Sequence, residues 1–208
     1  MSSARIVLSN TSESRRERRA RETRRKILTA ALELFAERGI DDVTVEEIAD
    51  RADVARGTVF NHFATKESLC HAMGELQIDA LQEAIAEGRI TGPLASDKIR
   101  QAMRLMAAFP GQDQQRCRAL LTRALASIAP GELPEHRKKW FELLEVWVRE
   151  GQEQGEFRAD TPSCELAGFM MGLQLQATLL WALGFGQGTL ADEQSRVLEL
   201  ALDGIRKR

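Results

Sequence analysis

A chain of 208 residues, 43% of them apolar, is long enough for one large domain or two small ones with a real core. Its three cysteines, Cys70, Cys117 and Cys164, are far apart and odd in number, with no C-x-x-C or Cys/His ligand spacing. That speaks against a disulfide framework and a zinc site, implies no metal or other cofactor, and fits a reduced cytoplasm. Formal charge is −2, yet residues 1–26 carry nine Arg/Lys against three Glu, net +6, which leaves −8 on the other 182 residues. A basic arm on an acidic body points to a polyanion at one end, although a solvated leader would have the same composition. The Ser- and Arg-rich start has no apolar run, so no secretory signal is expected.

In chain order the pattern is helical throughout, with no period-2 alternation and no tyrosine. A first helix is expected from about Glu17, with Ile27, Ala31, Leu34 and Phe35 at helical spacing and a stop at Gly39. Thr44-Val45-Glu46-Glu47 is a capping box that opens a short helix ending near Ala52. A second short helix is expected over about Arg56 to His62, and Thr65 caps a long one from Lys66. Breaks at Gly92-Pro93, Pro110-Gly111, Pro130-Gly131 with Pro134, and Asp160-Thr161-Pro162 then divide the rest. The resulting helices are roughly 66–88, 96–109, 113–129, 134–154, 162–184 and 191–206, with Thr161 as cap and Pro162 in the first helical position. Leu166 to Gly186 carries no charge and is long enough to span a bilayer. Gln174, Gln176, several glycines and the lack of a close Lys/Arg flank favour a helix buried on nearly all sides instead.

Two short helices about three residues apart, after a longer one, make a helix-turn-helix. Its second helix should turn Arg56, Gly57, Thr58, Asn61 and His62 outward, while Val59 and Phe63 pack back on Ile48 and Phe35. Gly57 permits close approach to another backbone, the helix start with Arg56 suits phosphate, and Asn61 can pair with adenine. The same pattern also occurs as plain scaffold.

Gly39 and the run T-V-E-E-I-A-D-R-A-D-V-A-R-G-T-V-F-N-H-F-A-T-K-E-S-L (44–69) closely resemble the DNA-binding domain of the TetR family of bacterial transcriptional repressors. The resemblance is strong over about residues 20–70; beyond them it rests on the helical layout and G-E-F-R-A-D (155–160). It implies that Thr44, Arg56, His62 and Lys66 hold phosphates, while Thr58 and Asn61, with Phe60 and Gly57, face bases. Three positions depart from the family's habit. Phe60 stands where Tyr is usual and loses a hydroxyl contact. Asp53 stands at a frequent Gly in the turn but tolerates the left-handed region. Ala55 replaces a common Ser cap, at about 1 kcal/mol of local helix stability.

These readings give an all-α chain: a basic arm (1–16), a three-helix DNA-binding head (17–66) and a larger helical body (67–208). The resemblance implies a homodimer on a double-stranded DNA operator, paired through the last two helices. The apolar circumference of 162–184 independently asks for a second burial partner. The expected dimer residues are Leu166, Phe169, Met170, Leu173, Ala177, Leu180, Trp181, Val197, Leu198, Ala201, Leu202 and Ile205. The resemblance also implies a small-molecule pocket in the body, with Met103, Met106, Phe109, Cys117, Leu121, Trp140, Trp147 and Phe169 as candidate lining and a hydrophobic or aromatic effector. Each of these also reads as ordinary core. Two other classes fit the sequence less well. For an enzyme the sequence offers only three histidines (His62, His71 and His136) and no H-E-x-x-H, G-x-S-x-G, phosphate loop or metal-ligand cluster. A ligand-independent DNA-compacting protein would share the basic arm but has no need of so large an acidic body.

Overall fold

The computed structural model of the chain describes residues 14–107, 114–126 and 133–207, and the regular structure among them is helical. The helices are α1 (Arg15–Arg38), α2 (Val45–Ala52), α3 (Arg56–His62), α4 (Lys66–His71), α5 (Met73–Ala86), α6 (Ala95–Ala107), α7 (Gln114–Ala126), α8 (Glu135–Gln154), α9 (Ser163–Ala182) and α10 (Leu190–Ile205). None among the described residues is long and apolar enough to cross a membrane.

Local chemistry sets several helix ends. Ser14 caps α1 through a reciprocal pair with Glu17 (3.2 and 2.8 Å), so the helix begins at Arg15, ahead of the expected start, and takes in Arg15 and Arg16 of the expected arm. Gly39, at φ 87°, ends it. Thr44 and Glu47 form the expected box at the start of α2. Asp53 closes α2 at φ 55° and ψ 52°, the one non-glycine residue at positive φ among those described, so the turn tolerates the missing glycine.

Three expectations need correction. The stretch 66–88 is two helices, broken at Ala72, and not one. Pro162 is the cap of α9 rather than its first helical residue, with no side-chain capping bond. The start of α10 is a third full box, Thr189 with Asp192 (3.2, 3.0 and 2.7 Å), one residue ahead of the expected start.

The head packs one cluster: Ile27, Phe35, Val43, Ile48, Val59 and Phe63, extended by Leu69, Ala72 and Met73 of the following helices. The body has its own, centred on Met103, Trp140, Leu144, Val148, Leu198 and Leu202. Phe157 is fully buried there, and a β-bridge with Arg206 ties the α8–α9 loop to the end of α10 (Arg158 N to Ile205 O, 2.8 Å). Helix α7 packs on α1, α4 and α9 and so touches both head and body.

Candidate nucleic-acid interface

Seven residues cannot hold a helix in water by themselves, and α3 starts at Ala55 with no side-chain capping bond. Its position comes from tertiary burial. Val59 and Phe63 are 1% and 3% exposed, and each contributes about 1.5–3 kcal/mol of apolar transfer, more than the roughly 1 kcal/mol that the missing cap costs. With that face fixed, Arg56, Gly57, Phe60 and Asn61 are exposed on the other, and Thr58 and His62 are half-buried at its edges. Gly57 is open: a Cβ built there meets no atom within 4 Å. The Arg56 guanidinium lies 5.4 Å from the Phe60 ring centroid and pairs with Glu46 at 2.8 Å. That pair is exposed on both sides and contributes at most about 1 kcal/mol, so a phosphate competes for Arg56 at little cost.

Around α3 the charges are fixed rather than loose. Arg38 donates to Glu47 at 2.7 Å, and that bond, with the Thr44 N–H and hydroxyl, pulls the Glu47 carboxyl down to about 2. Thr44 is therefore a cap in the free protein whatever else it touches. Lys66, expected as a phosphate ligand, has partners of its own in the free chain. Its ammonium is turned into the head, donating to the carbonyls of Ile40 (2.9 Å) and Asp41 (3.4 Å).

Arg24 of α1 joins this surface to the body, and sequence reasoning missed it. Its Nε and Nη2 donate to Glu75 of α5 (3.1 and 2.8 Å), and its Nη1 donates to the His62 carbonyl at the end of α3 (3.2 Å). The guanidinium also stacks on Phe63, 4.3 Å from the ring centroid. A second link runs from α7, where Arg123 meets both carboxylate oxygens of Asp41 at 2.9 Å. Beside these lies a cleft of about 240 Å³ between α1, α5 and α8, lined in part by Arg21, Leu28, Asp79 and His136. Burial raises the Asp79 carboxyl there, against the pull of Lys139 and Arg21. His136 is half-buried and packed against Gly74.

The expected pocket residues part company. Met103, Met106, Trp140 and Trp147 share the body cluster, and the two indoles meet edge-on at 6.3 Å. Trp140 donates to Gln174 (2.6 Å) inside it. Leu121 instead bridges the head cluster and the Trp181–Leu190 cluster. Phe169 is 51% exposed, outside the core, which removes it from the pocket lining. Phe109 and the Cys117 side chain lie outside the described residues.

The expected dimer residues split in the same way. Leu166, Met170, Ala177, Trp181, Leu198, Ala201, Leu202 and Ile205 are buried within the single chain and present nothing to a partner. Phe169 and Leu180 are exposed, Leu173 and Val197 half-buried, and they are joined by Leu179, Leu183, Phe185 (77% exposed) and Leu200 (70% exposed). An apolar outer face on α9, its following loop and α10 is the result.

Residues 27–73 match the family described as bacterial regulatory proteins, tetR family. Over nearly its whole length the chain is similar to HTH-type transcriptional repressor KstR2 of Rhodococcus jostii (27% identical; 88% of this chain and 90% of that protein). It is also similar to HTH-type transcriptional repressor AcnR of Corynebacterium diphtheriae (28% identical; 96% of each). Among solved structures it resembles FadR of Thermus thermophilus, a TetR-family transcriptional repressor in complex with lauroyl-CoA (26% identical, TM-score 0.59; 89% of this chain and 96% of that one).

Proposed function

We propose that this chain, which belongs to the TetR family of bacterial transcriptional regulators and is not an enzyme, represses transcription as a cytoplasmic homodimer on a palindromic operator and is released by a small apolar or aromatic effector. The observation that carries the reading is the geometry of α3. Its apolar side is sunk in the head while Arg56, Gly57, Phe60 and Asn61 stand clear on the other side. Arg56 supplies phosphate affinity, the bare Gly57 lets the helix enter the major groove, and Asn61 has the paired donor and acceptor that read adenine. The basic face of α1 adds affinity that does not depend on sequence.

The second copy of the chain covers the outward Phe169, Leu180, Leu183, Phe185 and Leu200, too many large apolar side chains to leave in solvent. A two-fold pair built this way sets the two α3 helices one DNA turn apart, roughly 34–36 Å. In the body, the effector enters among Met103, Met106, Trp140 and Trp147; a similar protein that holds lauroyl-CoA gives precedent for an apolar guest in this fold. Its arrival shifts the population of head positions through α5 and α7, which carry Glu75 and Arg123.

The test is a pair of titrations on duplex recovered by selection from a random pool. Effector binding is read by Trp140 and Trp147 emission with and without that duplex, alongside release of the labelled duplex. The reading expects operator to weaken effector binding by the same factor, typically 5–150-fold, by which effector weakens operator. A compound that binds equally well in both titrations yet releases DNA would refute it.

A further inference from the structure

Polar groups are few inside the body, and most are accounted for. Trp140 donates its indole N–H to Gln174, the Thr178 hydroxyl donates to the Gln174 carbonyl (2.8 Å), and the Gln194 amide donates to Thr178 (2.8 Å). Among the described residues three buried atoms are left over: the Nε of Arg118, the Nε of Arg137 and the side-chain oxygen of Gln194. The Arg118 guanidinium is otherwise engaged, lying 4.9 Å from the Trp181 ring centroid and donating from Nη2 to the Gly186 carbonyl at 3.2 Å. Arg137 precedes Trp140 by three residues and Leu144 by seven on α8, which puts it at the head of the same core-facing stripe.

Long cations often bury their stems and leave the charge in water. Arg100 is a half-buried arginine of the same body, and it faces Glu199 at 2.7 and 2.9 Å, which raises its pKa. Arg137 is half-buried too, but among the described residues no carboxylate pairs with it, and burial lowers its pKa. Its neighbour Lys138 is exposed and pairs with Glu135 at 3.5 Å, as a solvent-facing residue of this turn does. A guanidinium keeps its charge at any ordinary pH, so a desolvated and unpaired one is poised for an anion.

We propose that the effector is an amphipath with one anionic oxygen group, a carboxylate or sulfonate, held by the Arg137 guanidinium while its apolar part lies against Trp140. This rests on the reading above that the body takes an apolar effector, and it adds the charge and the anchor. The fork of Arg137 suits a planar two-oxygen acceptor. The site lies at the end of the body next to the head, because the adjoining His136 packs on Gly74 of α5, one residue before Glu75. An anion drawn to Arg137 therefore acts close to the Arg24–Glu75 link.

The experiment uses the full chain and two dyes that differ in the anion: 8-anilinonaphthalene-1-sulfonate and uncharged N-phenyl-1-naphthylamine. Both are titrated by energy transfer from tryptophan against the parent protein, Arg137→Met and Arg137→Lys. Arg137→Met is expected to weaken the sulfonate about 10- to 100-fold while the neutral dye changes by less than about twofold. Arg137→Lys, which keeps a charge without the fork, falls between. Arg137→Met should also melt no lower than the parent, because an unpaired buried charge has gone. Unchanged sulfonate affinity in Arg137→Met, or an equal loss for both dyes, overturns the proposal and leaves an apolar pocket standing. If neither dye binds the parent at one per chain, the pocket reading and this proposal fall together.

Discussion

Replacing Arg24 by Met removes the hydrogen bonds, ion pair and ring contact by which this residue ties the end of α3 to the body. The charged donor to the His62 carbonyl, at 3.2 Å and about one-third exposed, contributes about 1 kcal/mol after screening. The pair with Glu75 has side chains 33% and 44% exposed and contributes about 0.5–1 kcal/mol. Stacking on Phe63 at 4.3 Å adds about 0.5–1 kcal/mol. Arg24→Met should thus destabilise the folded chain by roughly 2–3 kcal/mol and weaken operator binding, since the end of α3 loses its anchor. Glu75→Gln removes only the link to the body. It should cost about 0.5–1 kcal/mol, keep operator affinity, and blunt release by effector. Urea unfolding of both single variants and the double variant gives the coupling between the two residues, expected at about 0.5–1 kcal/mol. A loss under about 0.5 kcal/mol for Arg24→Met, or a coupling of zero, would show that the clamp seen here does not hold head to body.

Gly57→Ala should leave the free protein as stable as before or up to about 1 kcal/mol more so, because the new Cβ meets open space and the helix gains propensity. Operator affinity should nonetheless fall; equal affinity in a gel-shift titration would mean that α3 does not approach DNA at this residue. Asn61→Ala should cost roughly 1–3 kcal/mol on operator and little on random duplex, measured by anisotropy; equal losses on both would make it a positioning residue. The Glu47 carboxyl is held down to about 2 in the fold, first by Arg38, from an ordinary value of 4.5. A depressed carboxylate stabilises above its unfolded pKa and loses that contribution as pH falls from 4.5 towards 2. Melting curves of the parent and Glu47→Gln should therefore converge across that window, and a constant gap would refute the assignment.

What the sequence disclosed and what it hid divide by range. The Thr44–Glu47 box, the stop at Gly39 and the left-handed Asp53 are chemistry within four residues, and each can be read from the letters alone. That the Lys66 ammonium meets the Ile40 and Asp41 carbonyls could not be read from the letters, because they lie 26 and 25 residues earlier. Arg24 was one basic residue among many until Glu75, 51 residues on, was placed beside it. The break at Ala72 has no proline to announce it. Gly74 was visible, but nothing local said that His136 packs there. For α9 the difficulty was the reverse. Apolar residues surround the whole helix, so composition announced two burial partners without saying which side meets which. The fold resolves it, with Leu166, Met170 and Ala177 turned inward and Phe169, Leu180 and Leu183 outward.

The central claim, that α3 of a dimer reads one operator, is tested most directly by selecting bound duplexes from a random pool and footprinting the winner at low and at moderate salt. Recovery of one palindrome, with two protected half-sites a helical turn apart and the same footprint at both salts, is the predicted result. Protection spread evenly along every duplex, fading as salt rises and with no sequence enriched, would instead mark a DNA-coating protein and contradict it.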